Sequence, residues 1–303
     1  MKKHLAFFLV ISILLTSCGT TGWKELTPIS HPPANGGGAI SYNTQSQTAL
    51  FLGGFLSETW IWDNGNWIKA TPANQPPPRA KFGMAYDDSR NRIVIFGGTY
   101  DKTLFNDTWE WDGTNWLKIE SSHVPPARCC HAMAYDSVQK KILLYGGWSP
   151  QTNAFLNDLW LWDGSDWTEV KNQEMPLMSG HKMASYSSQI ISTFTSGLGT
   201  WIWDGMTWNN LNIESPPDRP DSALVYDTKR DVVILFGGKR NGVLLNDTWL
   251  FDGERWSELK LPLAPSPRDA HVMFYNPKRQ SIILFGGVDE NGSLGDTWEF
   301  KLP

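Results

Sequence analysis

"RAKFGMAYDDSRNRIVIFGGTYDKTLFNDTWEWDGTNWLKI", residues 79–119, holds four short apolar or aromatic runs divided by turn residues. The run around "GMAYD" is a first strand, a. The apolar run "RIVIFGG" is a second, b, and its continuity implies burial on both faces. "DTWEWD" is strand c and "NWLKI" strand d, joined through Asp112-Gly113, a pair that favours tight hairpins because both central positions accept positive φ. The doubled glycine ending strand b removes side chains where backbones must approach closely.

The pattern recurs along the chain. Residues 128–170 read "RCCHAMAYDSVQKKILLYGG…LNDLWLWDGSDWTEV" and residues 219–259 read "RPDSALVYDTKRDVVILFGG…LNDTWLFDGERWSEL". Shorter versions occupy about 35–69 and 178–212, and a sixth starts at Arg268 and breaks off after "DTWEF". Gly53-Gly54, Gly97-Gly98, Gly146-Gly147, Gly237-Gly238 and Gly286-Gly287 end strand b in five units, while the fourth has Ser196-Gly197. Trp67, Trp116, Trp167, Trp208 and Trp256 open strand d.

Four strands per unit with a doubled glycine closing the second resemble the kelch repeat over roughly residues 23–303. That resemblance implies an all-β fold, a six-bladed β-propeller with one repeat per blade around a central channel. The sixth unit lacks a strand d, and "GWKEL" near the N-terminus has the form of one, with Trp23 in the place of Trp116 or Trp256. The N-terminal strand is therefore expected to complete the last blade and close the ring.

Ahead of the repeats, "MKKH", the apolar "LAFFLVISILL" and "TSC" form a secretory leader, residues 1–17. Its junction, Leu15-Thr16-Ser17-Cys18, resembles a bacterial lipobox, which implies lipidation of Cys18 and a short tether over 18–22. Residues 19–22 allow at most ~15 Å between Cys18 and Trp23, at about 3.5 Å per residue. A strand d enters from the face carrying the a–b and c–d turns. A membrane would thus lie by that rim, with the b–c and d–a loops facing away or sideways. The expected location is the cell envelope, on the exported side.

The composition agrees with many short strands: 303 residues, 17 tryptophans, 27 glycines and 19 prolines. The net charge is −5, and loss of Lys2 and Lys3 with the leader makes it more negative. No basic run offers a footprint for nucleic acid.

Sixteen of the tryptophans occupy repeat positions and read as filler between blades. Trp148 alone is unrepeated, on the long b–c loop of unit three. Units two, three, five and six have long b–c loops and units one and four have short ones, so a groove is expected across that face. Tyr100, Phe105, Trp148 and Phe155 would form its aromatic wall, opposite Lys239, Arg240, Asp289 and Glu290.

Arg79, Arg128, Arg219 and Arg268 stand at the head of strand a in the same four units, a ring suited to bidentate anion binding. The same units carry Asp107, Asp158, Asp247 and Asp296 before strand c, whereas units one and four lack both residues. That co-occurrence favours internal arginine–aspartate pairs. His131, His181 and His271 share a position that Phe82 and Ser222 also fill, which reads as packing. Cys129 and Cys130, taken as strand residues pointing to opposite faces, read as small core residues that only a strained disulfide would join. Further ligands for a metal are missing, and no metal or cofactor is expected.

These readings give a non-catalytic binding or scaffold module, anchored to a membrane through lipid only, that meets an envelope protein or glycan. The alternative is a carbohydrate-active enzyme such as the sialic-acid epimerases among kelch propellers. It calls for a channel-mouth arginine free of its aspartate beside a Glu or His of shifted pKa.

Overall fold

The computed structural model describes residues 21–171, 177–193 and 198–302. The leader (residues 1–17), Cys18 and the Ser196-Gly197 pair lie outside these. Six four-stranded antiparallel sheets account for the architecture, and no helix occurs among the described residues. Blade 2, for example, comprises a (Gly83–Asp87), b (Arg92–Phe96), c (Thr108–Trp111) and d (Trp116–Ile119). Neighbouring a strands touch in the order of the chain, and those of blades 6 and 1 touch in turn, which closes a ring.

Ring closure follows the expected route. Gly22–Leu26 pairs antiparallel with strand c of blade 6 (Gly292–Lys301), with Trp23 opposite Phe300. One blade therefore joins the two ends of the described chain.

Each b strand is sealed on both faces, as its unbroken apolar run requires. Val94, Ile95 and Phe96 have no exposed surface. Side chains of this kind contribute about 1.5–3 kcal/mol each when buried. They feed six apolar clusters, each between two adjacent blades.

Tryptophans supply a repeated side-chain hydrogen bond between blades. In strand d, Trp116 donates from Nε1 to Thr59 of the preceding blade at 2.9 Å. Trp167 donates likewise to Thr108, Trp256 to Thr200, Trp67 to Thr297 and Trp23 to Thr248. Blade 3 departs at this strand c position with Leu159, which packs in the same cluster as Trp208.

The c–d turns differ from the two-residue hairpins that Asp-Gly promised. Only blade 1 closes that way, through Asn64 and Gly65, both at positive φ. In blade 2 four residues separate the paired Trp111 and Trp116. There Asp112 accepts from the N–H groups of Thr114 and Asn115, both at 2.8 Å. The aspartate side chain folds the turn, and Gly113 alone supplies positive φ.

The doubled glycines serve as anticipated. A Cβ on Gly98 would lie 2.8 Å from Phe82 Cβ and 2.9 Å from the Ala80 carbonyl oxygen. Its N–H instead donates to the Arg128 carbonyl of the next blade at 2.9 Å.

Candidate functional site

The four arginines precede strand a rather than open it, and their side chains turn inward. Arg79 donates to both Asp107 oxygens, at 2.6 and 2.8 Å, and to the Gly97 carbonyl at 3.0 Å. Arg128 with Asp158 and Arg268 with Asp296 repeat the fork, and Arg219 reaches Asp247 at 2.5 Å. Each aspartate also accepts from the first tryptophan of its own strand c, as Asp107 does from Trp109 at 2.7 Å. Burial pushes the Asp107 carboxyl up, but Arg79 and Trp109 outweigh it and hold the group below its ordinary value. These guanidinium groups are buried, and each holds its aspartate. The epimerase alternative asked for one of them free.

The b–c loops are raised hairpins in four blades. Thr99–Tyr100 pairs with Thr103–Leu104 in blade 2, and Lys239–Arg240 with Val243–Leu244 in blade 5. Blades 3 and 6 simply extend strands b and c. Blade 1 has only the turn after Gly53, and the corresponding connection of blade 4 lies outside the described residues.

The aromatic candidates fall into two groups. Tyr100 is 40% exposed and Phe155 54%. Trp148 is half-buried, opposite Phe155 in the extended hairpin. Phe105 is half-buried as well, with the Arg79 guanidinium 4.4 Å from its ring centre.

Sequence reasoning passed over Phe55 and Leu56, because the b–c loop of unit one read only as short. Phe55 is 58% exposed, and its ring centre lies 6.3 Å from that of Tyr100. With Leu56 they make an apolar patch spanning blades 1 and 2 on the loop face. On the far side Lys239 and Arg240 are exposed, while Asp289 accepts from the N–H groups of Asn291 and Gly292 in its own turn.

The central channel has two chambers. Ile40, Met84, Met133, Met183, Leu224 and Met273, one from each strand a, line both and mark the waist between them. The wide chamber, about 460 Å³, opens among the a–b turns. Tyr42, Tyr86, Tyr135, Tyr226 and Tyr275 share one register position in its wall, and Ser185 replaces them in blade 4. The alternating "MAY" of strand a was the available signal.

The narrow chamber, about 140 Å³, carries His131, His181 and His271 near the loop face. Gly83 N–H donates to His131 Nε2 at 3.1 Å, so the ring is neutral with its proton on Nδ1. Burial lowers all three histidines, His181 and His271 to about 3.

Above this chamber the backbone forms a closed circuit. Lys81 N–H donates to Gly37 O, Cys130 to Lys81, Gly180 to Cys130, Asp221 to Gly180, Ala270 to Asp221 and Gly37 to Ala270. All six residues have positive φ, between 53° and 79°. Each stands two places after an arginine or the residue replacing one. Four of them are not glycine, which hid the feature from sequence reasoning.

The kelch-repeats family model of the KLHDC2/KLHL20/DRC7 domain matches residues 36–204, more than half of the chain. The chain belongs to the kelch-repeat family. Among solved structures, the one titled "Structure of YjhT" aligns with a TM-score of 0.69 at 15% identity, covering 89% of this chain and 95% of that one. At that identity the likeness speaks for the shared fold alone. Comparison with curated protein sequences finds no match. In this kelch propeller the repeat-borne arginines and tryptophans build the scaffold, and the unrepeated residues vary the b–c loop face.

Proposed function

We propose that this kelch propeller is a non-catalytic binding module that uses its b–c loop face to hold a protein or glycan of the cell envelope. The observation that carries the reading is the exposed patch of Phe55, Leu56 and Tyr100 on a rigid ring. Aromatic side chains on fixed loops present large contact area at little entropic cost, and they suit a protein anchor or a sugar face. Phe155 extends the apolar surface in the next blade. The charged residues best placed for catalysis are committed to scaffold pairs. Lipidation of Cys18 belongs to the same proposal. It sets the turn face towards a membrane and leaves the loop face accessible.

The test is a thermal-shift screen of the full chain against envelope sugars and peptidoglycan fragments, together with cross-linking from the loop face in intact envelopes. A ligand at about 100 times its dissociation constant adds ~2.7 kcal/mol. The shift, or the cross-linked partner, should disappear in the Phe55→Ala/Tyr100→Ala variant while the unliganded melting point stays put. A ligand or partner held equally well by that variant would sink the proposal.

A further inference from the structure

Two thiols at the channel mouth have no part in the binding face. Cys129 is buried and Cys130 half-buried, and neither lies in a regular strand. The sequence placed them on opposite faces. Instead, positive φ at Cys130 (63°) brings the two Sγ atoms within 3.0 Å.

The backbone on both sides is tied down. Cys129 N–H donates to the Trp148 carbonyl at 3.1 Å, and the Cys129 carbonyl accepts from the Trp148 N–H at 2.9 Å. Cys130 is a link in the backbone circuit, donating to Lys81 and accepting from Gly180, both at 2.8 Å. Lys81 and Asp221 are charged side chains acting on the pair. A sulfur pair held in reach needs little further ordering to react with itself. The hydrogen bond from Cys129 draws the Cys130 thiol down to about 7, against burial and helped by Lys81. The same contact and burial push Cys129 up.

We propose that Cys129 and Cys130 form a vicinal dithiol–disulfide pair, with Cys130 meeting an external low-molecular-weight disulfide and Cys129 resolving the mixed product. In the first step the Cys130 thiolate attacks one sulfur of the external disulfide, and its other half leaves as a thiolate. In the second, Cys129 loses its proton and attacks the Cys130 sulfur, which expels the remaining half. One external disulfide is reduced to two thiols, and the protein loses two hydrogens as one S–S bond forms. Adjacent Cα atoms are about 3.8 Å apart, closer than the roughly 4.4–6.8 Å usual for disulfides. The closed bond is therefore strained and belongs to the readily reduced class.

The experiment exposes the folded full chain to oxidised glutathione, blocks remaining thiols, and maps the peptide containing both cysteines by mass. That peptide also separates them from Cys18. The expected product is lighter than the reduced peptide by two hydrogens, free of glutathione, and restored by mild dithiothreitol. Cys129→Ser should instead trap glutathione on Cys130. Persistent glutathione on wild-type Cys130 would overturn the proposal, as would two cysteines still fully alkylated after exposure. The wild-type result alone decides, whether or not the serine variant folds.

Discussion

The indole N–H of Trp23 donates to Thr248 Oγ1 at 3.0 Å across 225 residues of chain. Its ring also packs 4.9 Å from Phe236 and from Phe300. One side chain thus fastens the N-terminal strand to blade 6 and blade 6 to blade 5. Trp23→Ala should cost about 3–5 kcal/mol, the usual range for deleting a buried tryptophan. Urea denaturation measures this, and a loss well under 1 kcal/mol would mean that the strand adds little to closure.

The arginine–aspartate clamps should reward symmetrical removal. Arg128→Met leaves the half-buried Asp158 carboxylate without its main partner and should cost at most about 3–5 kcal/mol, while replacing both partners by apolar residues should be close to neutral. A double-mutant cycle on Arg128 and Asp158 reads the difference directly. Equal costs for single and double variants would show that the fork's bonds, rather than an orphaned charge, set its worth.

Thr108→Val keeps the shape of the threonine but takes the acceptor from Trp167, whose indole is 1% exposed. The stranded N–H should cost about 1–3 kcal/mol. Leu159 at the equivalent place in blade 3 sets the comparison, and Leu159→Val should lose only the transfer energy of a methylene, about 0.8 kcal/mol, plus any cavity. Chemical denaturation of both variants separates the two costs.

Stability should fall in mild acid. His131, His181 and His271 are neutral in the fold, with their pKa values depressed by burial. The unfolded chain takes up a proton at each near pH 6.5. Their contribution is complete above that pH and is lost as pH falls towards the folded values. By linkage each histidine should cost about 1.4 kcal/mol at pH 5.5 relative to neutral pH. His271→Phe, which copies Phe82 at the same place in blade 2, should remove its share of that slope. An unchanged slope between pH 7.5 and 5.5 would show that another group governs it.

Much of this was legible because the repeats comment on one another. Arginine and aspartate vanish together from units one and four, and the structure pairs them wherever both occur. The missing strand d and the surplus "GWKEL" likewise explain each other. Local propensity carried less. Asp112 caps a wider turn with its side chain, where the dipeptide alone promised a tight hairpin. Lys81, Cys130, Asp221 and Ala270 adopt positive φ without glycine because hydrogen bonds to neighbouring blades hold them there, and tertiary geometry leaves no mark on composition. Phe55 was missed for the opposite reason. Its loop is short, and exposure depends on what stands beside it rather than on its length.

The circuit of six peptide bonds at the mouth has an electrical consequence. Each of these N–H groups and each carbonyl is already spoken for within the circle, so the rim offers an approaching ion no free amide from these six residues. In a head-to-tail ring the peptide dipoles largely cancel, unlike the aligned dipoles that make a helix end attract charge. Any charge these six residues set at the rim therefore comes from side chains, those of Lys81 and Asp221. Replacing either should change the charge at this mouth while leaving the six backbone hydrogen bonds of the circle in place.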